Sequence, residues 1–240
     1  MNVKPIKTRI FKEGENLEAF IADYIKKIHE RSILVIASKI VALSEKRTVP
    51  GGNLRAKIAL IKKESETAMR TKYVWLTVKD DMVMANAGID ESNANGKLIL
   101  LPKDSFACTE SLRNALRGKF KLKHLGVLIT DSRTMPLRAG ITGVALGYAG
   151  FRGVKNYRGT PDIFGRKFEF SSVDVADSLA AAAVLTMGEG KERQPLAIIE
   201  SAPVEFSHNV RRKELHIDMK EDMYRPFFEN MTKSKQRRNN

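Results

Sequence analysis

Three aliphatic runs constrain this chain most: "SILVIAS" at 32–38, "HLGVLITD" at 124–131 and "QPLAIIE" at 194–200. None shows the apolar–polar alternation of a half-exposed strand, so each reads as a short strand buried in a sheet. Between them lie helical patterns. "LEAFIADYIKKIH" repeats apolar residues at helical spacing through Leu17, Phe20, Ile21, Tyr24, Ile25 and Ile28. "NLRAKIALIKKESETAM" predicts a second helix with Asn53 as N-cap. "DSFACTESLRNALRGKF" predicts a third, capped by Asp104 or Ser105 and closing near Gly118. "VDVADSLAAAAVLTM" predicts a fourth, ended by "GEG". "YVWLTVKDDMVMANAGI" predicts a hairpin turning near Lys79, Asp80 and Asp81. Strands and helices interleave irregularly, which predicts a mixed α/β (α+β) fold.

From Pro136 to Gly165 the periodic signals fade, and seven glycines fall between Gly140 and Gly165 among arginines and aromatics. That stretch reads as an ordered, irregular functional loop region. Residues 1–206 are expected to form the main unit, as one domain or two interleaved subdomains, and 207–240 a basic C-terminal extension that frays at its end.

Composition narrows the class. Hydrophobic residues make up 42% and charged residues 29% of the chain, the balance of a soluble globular protein. The aliphatic runs are too short to cross a bilayer, and the N-terminus carries no signal-peptide core. The lone Cys108 excludes an internal disulfide framework and a cysteine zinc site, and a reducing cytoplasm is the expected compartment. A net charge of +14 suits polyanionic partners, nucleic acid or nucleotides. The excess is spread along the chain without a dominant basic block, and no stacking motif for RNA is present, so a nucleic-acid role is not favoured.

Three acids share one grammar. Asp90 follows "VMANAGI", Asp131 follows "HLGVLIT" and Glu189 follows "AAAVLTMG", each where an apolar segment emerges. Carboxylates brought together repel unless a proton or a cation intervenes. Acids without histidine or cysteine nearby favour Mg²⁺ or Mn²⁺. The same positions also suit helix caps and turn residues. Lys39 at a strand end, and Arg133, Arg138, Arg152, Arg158 and Arg166, supply groups for a polyanion. "MGEGK", Met187 to Lys191, offers glycine N–H groups to a phosphate, or equally an ordinary helix stop. P-loop spacing, a Rossmann glycine pattern, a nucleophile elbow and histidine metal spacing are all missing.

Taken together, "ANAGIDESN", "LGVLITDS…PLR.G", "YRGTPDIFGR", "VADSLAAAAVLTMGEG" and "PLAIIE" resemble the coenzyme F420-0:L-glutamate ligases, the γ-glutamyl ligases, over about residues 3 to 200. The resemblance implies an intertwined homodimer of mixed α/β fold. It further implies a GTP- (or ATP-) driven reaction that joins the amine of L-glutamate to a substrate carboxylate through an acyl phosphate, with Mg²⁺ or Mn²⁺. Carried over to this sequence, Asp90, Asp131 and Glu189 match metal-binding acids, and Ser132 a metal-contacting hydroxyl. Ser38, Lys39, Asn93 and the stretch from Met187 to Gln194, with Gly188, Gly190 and Lys191, match nucleotide-contacting positions. Lys39 and Arg138 are the expected catalytic cations.

The chain departs from the family pattern at "KTRIFK", at Leu43 where a lysine is usual, at "DSRTMPLR" and at "GITG". The variants "IKTRIF", "TDS.T.PLR.G.TG.ALGY.GF" and "NYRG" resemble a bacterial branch labelled as folate-metabolism γ-glutamate ligases. A folate is therefore the expected acceptor and coenzyme F420-0 the alternative.

Overall fold

The computed structural model describes residues 1–229. In chain order the elements are β1 (Asn2–Ile6), α1 (Leu17–Tyr24), β2 (Ser32–Ala37), α2 (Ser38–Ser44), β3 (Thr48–Pro50), α3 (Leu54–Lys63), β4 (Thr67–Arg70), β5 (Trp75–Lys79), β6 (Met82–Ala85) and β7 (Lys97–Ile99). There follow α4 (Ser105–Phe120), β8 (Leu125–Thr134), β9 (Ile141–Ala149), β10 (Val154–Asn156), β11 (Ser172–Asp174), α5 (Val175–Met187) and β12 (Leu196–Glu200). The fold is α+β, as the interleaved patterns imply.

The main sheet runs β1-β12-β2-β8-β9. Within it β2 and β8 pair in parallel, whereas the β1–β12, β12–β2 and β8–β9 pairs are antiparallel. In β2, Leu34 and Ile36 enter a core shared with α1 and α4, while Ile33 and Val35 enter a second core shared with α5. Helices thus cover both faces of the central strands, which is why these runs carry no polar alternation. Side-chain oxygens of Asn16, Asn53, Asp104 and Asp174 cap α1, α3, α4 and α5.

Several boundaries differ from expectation. α1 stops at Tyr24, and Ile25 and Ile28 reach the same core from non-helical backbone. α3 ends at Lys63, and Thr67–Arg70 pairs with β5 as a strand. α4 runs past Gly118 to Phe120, where Lys121 takes the left-handed cap at φ +54°. The β5–β6 hairpin turns at Asp80 and Asp81, both at positive φ.

The largest correction concerns the glycine-rich region, where Ile141–Ala149 forms the mostly buried strand β9. Its glycines serve helix packing. A Cβ on Gly143 would lie 2.3 Å from the Ala180 carbonyl of α5, and one on Gly147 would lie 2.5 Å from the Ser105 backbone of α4. Both helices approach the strand more closely than any side chain permits.

The C-terminal extension begins bound to the sheet. Glu214 accepts hydrogen bonds from the Tyr148 hydroxyl at 2.7 Å and the Gly153 amide at 2.5 Å, and Val210 and Leu215 pack on the second core. Burial, then the Glu214 carboxylate, push the Tyr148 phenol well above its ordinary value. Glu214→Ala is expected to strand both donors and to cost about 2–4 kcal/mol in urea denaturation. An unchanged midpoint would show that the contact contributes nothing.

Candidate active site

The parallel β2–β8 pair places Ala37 beside Thr130, so the next residues, Ser38 and Asp131, stand side by side where the parallel pairing ends, with β8 running on to Thr134 against β9. The segment between α5 and β12 arrives at the same edge, because Ala37 N–H donates to the Pro195 carbonyl at 2.9 Å. The α5–β12 turn, with Glu189, is thereby brought to the carboxyl ends of β2 and β8. Strand carboxyl ends of this kind gather ligand sites in mixed sheets.

Asp90 comes from a different direction. Asn86, Ala87 and Gly88 hold φ of 52°, 56° and 70°, and the Thr77 hydroxyl fixes this strained turn by accepting from Ala87 N–H at 2.8 Å. Asp90 then exchanges backbone hydrogen bonds with Ile99 at 2.9 Å each way. Backbone strain of this kind persists only where surrounding contacts enforce it.

The four segments close into a ring. Lys39 Nζ stands 2.8 Å from Asp90 Oδ2 and donates to the Ser92 carbonyl and hydroxyl at 2.8 and 3.0 Å. Ser38 Oγ donates to Asp131 Oδ1 at 3.0 Å. The Ser132 hydroxyl donates to a Glu189 carboxylate oxygen. Asn93 Nδ2 reaches the Gly190 carbonyl at 3.4 Å, which returns the circuit to the Asp90 turn. Arg133 Nη1 donates to Asp131 Oδ2 at 2.8 Å. Desolvation raises the Asp90 carboxyl, but Lys39 and the Ser92 N–H outweigh it, so this acid titrates below its ordinary value and stays ionised at neutral pH.

Not every expected residue faces the ring in the expected way. Met187 is buried in the second core, so its side chain is committed to packing. Gly188 N–H donates to the Val184 carbonyl at 3.0 Å and Gly190 N–H to Glu192 at 2.7 Å, so both glycine amides already have partners. Lys191 is exposed, and Arg138 lies exposed on the turn beyond β8. Leu43 packs against the core. Two ring members escaped the sequence reading. Ser92 looked like a turn residue, and Arg133 looked like one loop arginine among several. Strand alternation from Asp131 is the signal that would have found Arg133.

Among the described residues, no three histidine, cysteine, aspartate or glutamate side chains stand close enough to hold a metal ion by themselves. Each acid has a protein donor instead: Lys39, Ser38 with Arg133, or Ser132. A Mg²⁺-type ion does not need three side chains of this kind. Such an ion usually takes one or two carboxylates and completes its octahedron with phosphate and water oxygens.

Fold and ring together define an α+β protein with an oxygen-rich site at the carboxyl ends of a parallel strand pair, a setting for polar ligands. Residues 5–201 match the profile of the family described as F420-0:Gamma-glutamyl ligase. The chain is 34% identical to a coenzyme F420:L-glutamate ligase of Methanococcus maripaludis (strain C6), with 88% of this chain and 92% of that protein covered. It is 33% identical to the coenzyme F420:L-glutamate ligase of Methanocaldococcus jannaschii, with 90% and 93% covered, and 34% identical to that of Methanosarcina mazei, with 80% and 82% covered. The chain belongs to the F420-0:gamma-glutamyl ligase family and is a ligase.

Proposed function

We propose that this protein uses a nucleoside triphosphate and a divalent cation to join L-glutamate to the carboxylate of coenzyme F420-0. The carrying observation is the closed ring of Ser38, Lys39, Asp90, Asn93, Asp131, Ser132 and Glu189, drawn from four separate chain segments. Each relative named above carries coenzyme F420 in its name, which favours that acceptor over the folate expected from the sequence variants.

Asp90, Asp131 and Glu189, with Ser132, are the proposed holders of Mg²⁺ or Mn²⁺, with any one ion held by one or two of the acids. The ion would neutralise phosphate charge and ease transfer of the γ-phosphoryl group. Ser38, Asn93, Gly188, Gly190 and Lys191 are assigned to the nucleotide, and Glu192 must first release the Gly190 amide. Lys39 is a positioning residue here, because its ammonium holds Asp90 and Ser92 in place. Arg138, on the open turn, is assigned to the acceptor's negative charge. The γ-phosphoryl group passes to the acceptor carboxylate, releasing nucleoside diphosphate. Glutamate's amine then attacks the acyl carbon, an amide forms and phosphate leaves.

A homodimer is part of this reading. Leu137, Ile163, Phe164 and Phe170 are all at least 80% exposed, apolar side chains that a second copy would cover.

The test is an acceptor screen by mass spectrometry with L-glutamate, Mg²⁺ or Mn²⁺, and GTP or ATP. Coenzyme F420-0 should gain one glutamyl residue as nucleoside diphosphate appears. A heavier tetrahydrofolate beside unchanged coenzyme F420-0 would reverse the acceptor assignment.

A further inference from the structure

Arg133 is a charged side chain that the reaction scheme above does not use. It follows Asp131 by two residues on β8, on the same face of the strand, and its side chain is 7% exposed. One nitrogen, Nη1, is taken by Asp131 Oδ2 at 2.8 Å. The other two, Nε and Nη2, are buried and without a hydrogen-bond partner. These two atoms share one edge of the guanidinium and point parallel N–H groups the same way, which is the fork that a carboxylate fills with two hydrogen bonds. Buried donors are rarely left unpaired, and two on one edge beside a ligand site call for a missing acceptor.

The charge balance narrows the choice of acceptor. Asp131 pairs with the arginine and Asp177 also acts on it, so a polyphosphate would meet no net positive charge. A monoanionic carboxylate needs only the unpaired Nε–Nη2 edge. We propose that the Nε–Nη2 edge of Arg133 binds a non-reacting carboxylate of a substrate, making Arg133 a specificity-determining residue of the ligase. Two substrates can supply that group, the amino donor L-glutamate or an acceptor with a second carboxylate. The assignment rests on the ligase reading above.

Arg133→Lys keeps a cation beside Asp131 but removes the fork, and Arg133→Met removes both. In steady-state kinetics, Arg133→Lys should raise KM for one carboxylate substrate roughly 10- to 100-fold. The KM for nucleotide should stay unchanged, and kcat should fall far less. A rise confined to glutamate identifies the donor carboxylate, and one confined to the acceptor identifies the acceptor's. An unchanged pair of KM values, or a rise in nucleotide KM alone, overturns the proposal. Arg133→Met should show the same substrate preference with a lower unfolding temperature, since it also unpairs Asp131. If the wild-type protein forms no glutamylated product, the ligase reading fails on its own terms. Calorimetric titration with L-glutamate and with glutarate then decides the inference. Binding by the wild type that weakens in Arg133→Lys supports it, and binding of neither ligand overturns it.

Discussion

Asp131→Asn is expected to reduce glutamyl transfer by about 100-fold or more while the protein stays folded. Asp131 stands where the parallel strands end, with one oxygen accepting from Ser38 and the other from Arg133. The substitution keeps the shape and one carbonyl acceptor but removes the negative charge, and that charge is the feature a cation and its phosphates would need. Loss of a single electrostatic contact to a developing charge typically costs a factor of about 100 to 1,000, and a lost cation ligand acts on the same phosphates. Circular dichroism should stay near the wild-type spectrum, because the amide oxygen can keep the Arg133 contact and the Ser38 hydroxyl can turn to accept from the new amide N–H. The unfolding temperature should fall, because the buried Arg133 loses its counter-charge. Full turnover in this variant would remove Asp131 from the reaction. A protein that acted through its basic surface would be indifferent to the change.

The second large effect concerns the fold. Gly150→Ala is expected to destabilise the protein by about 3–5 kcal/mol, or roughly 10 °C in Tm for a chain of this size. Gly150 sits at φ +89°, and a Cβ there would lie 2.1 Å from the Leu125 carbonyl and 2.5 Å from Arg113 Nε. Arg113, 2% exposed, donates from that nitrogen to that carbonyl at 2.9 Å, so neither neighbour can retreat without breaking a buried hydrogen bond. Gly140→Ala is the control. Its φ of +91° is almost the same, but nothing lies within 4 Å of its Cβ position, so only the backbone penalty of about 1–2 kcal/mol remains. Similar losses in the two variants would show that crowding at Gly150 is relieved without cost.

The residues that could be read from sequence share a physical property. β2, β8 and β12 are covered on both faces, so their apolar runs are unbroken and local. Asn53 and Asp104 cap helices through contacts three residues away, which is also local information. β9 could not be read this way, because its glycines answer to the backbones of α4 and α5, far along the chain. β1 is an edge strand with its residues mostly exposed, and "NVKPI" carries no run to detect. The ends of α1 and α3 are set by tertiary packing, which overrides helical spacing.

The candidate site divides along the same line. Asp90, Asp131 and Glu189 were visible because each ends an apolar segment. That the segments bearing them gather at one edge depends on the parallel register of β2 with β8 and on the Ala37–Pro195 hydrogen bond, neither of which is written in any local pattern. The amides of Gly188 and Gly190 looked available because their partners, Val184 and Glu192, are a matter of turn geometry. Arg133 looked solvated because a charged residue near glycines usually is, and its burial comes from the packing around β8.

The most direct measurement is an anomalous-scattering map from crystals grown with Mn²⁺ and a guanine nucleotide. Nucleotide-driven chemistry at the ring predicts a Mn²⁺ peak bonded to Asp131 and to a phosphate oxygen, with Asp90 and Glu189 in reach of the same cluster. A nucleotide and ion bound away from the carboxyl ends of β2 and β8, with Asp131 still paired only to Ser38 and Arg133, would contradict it.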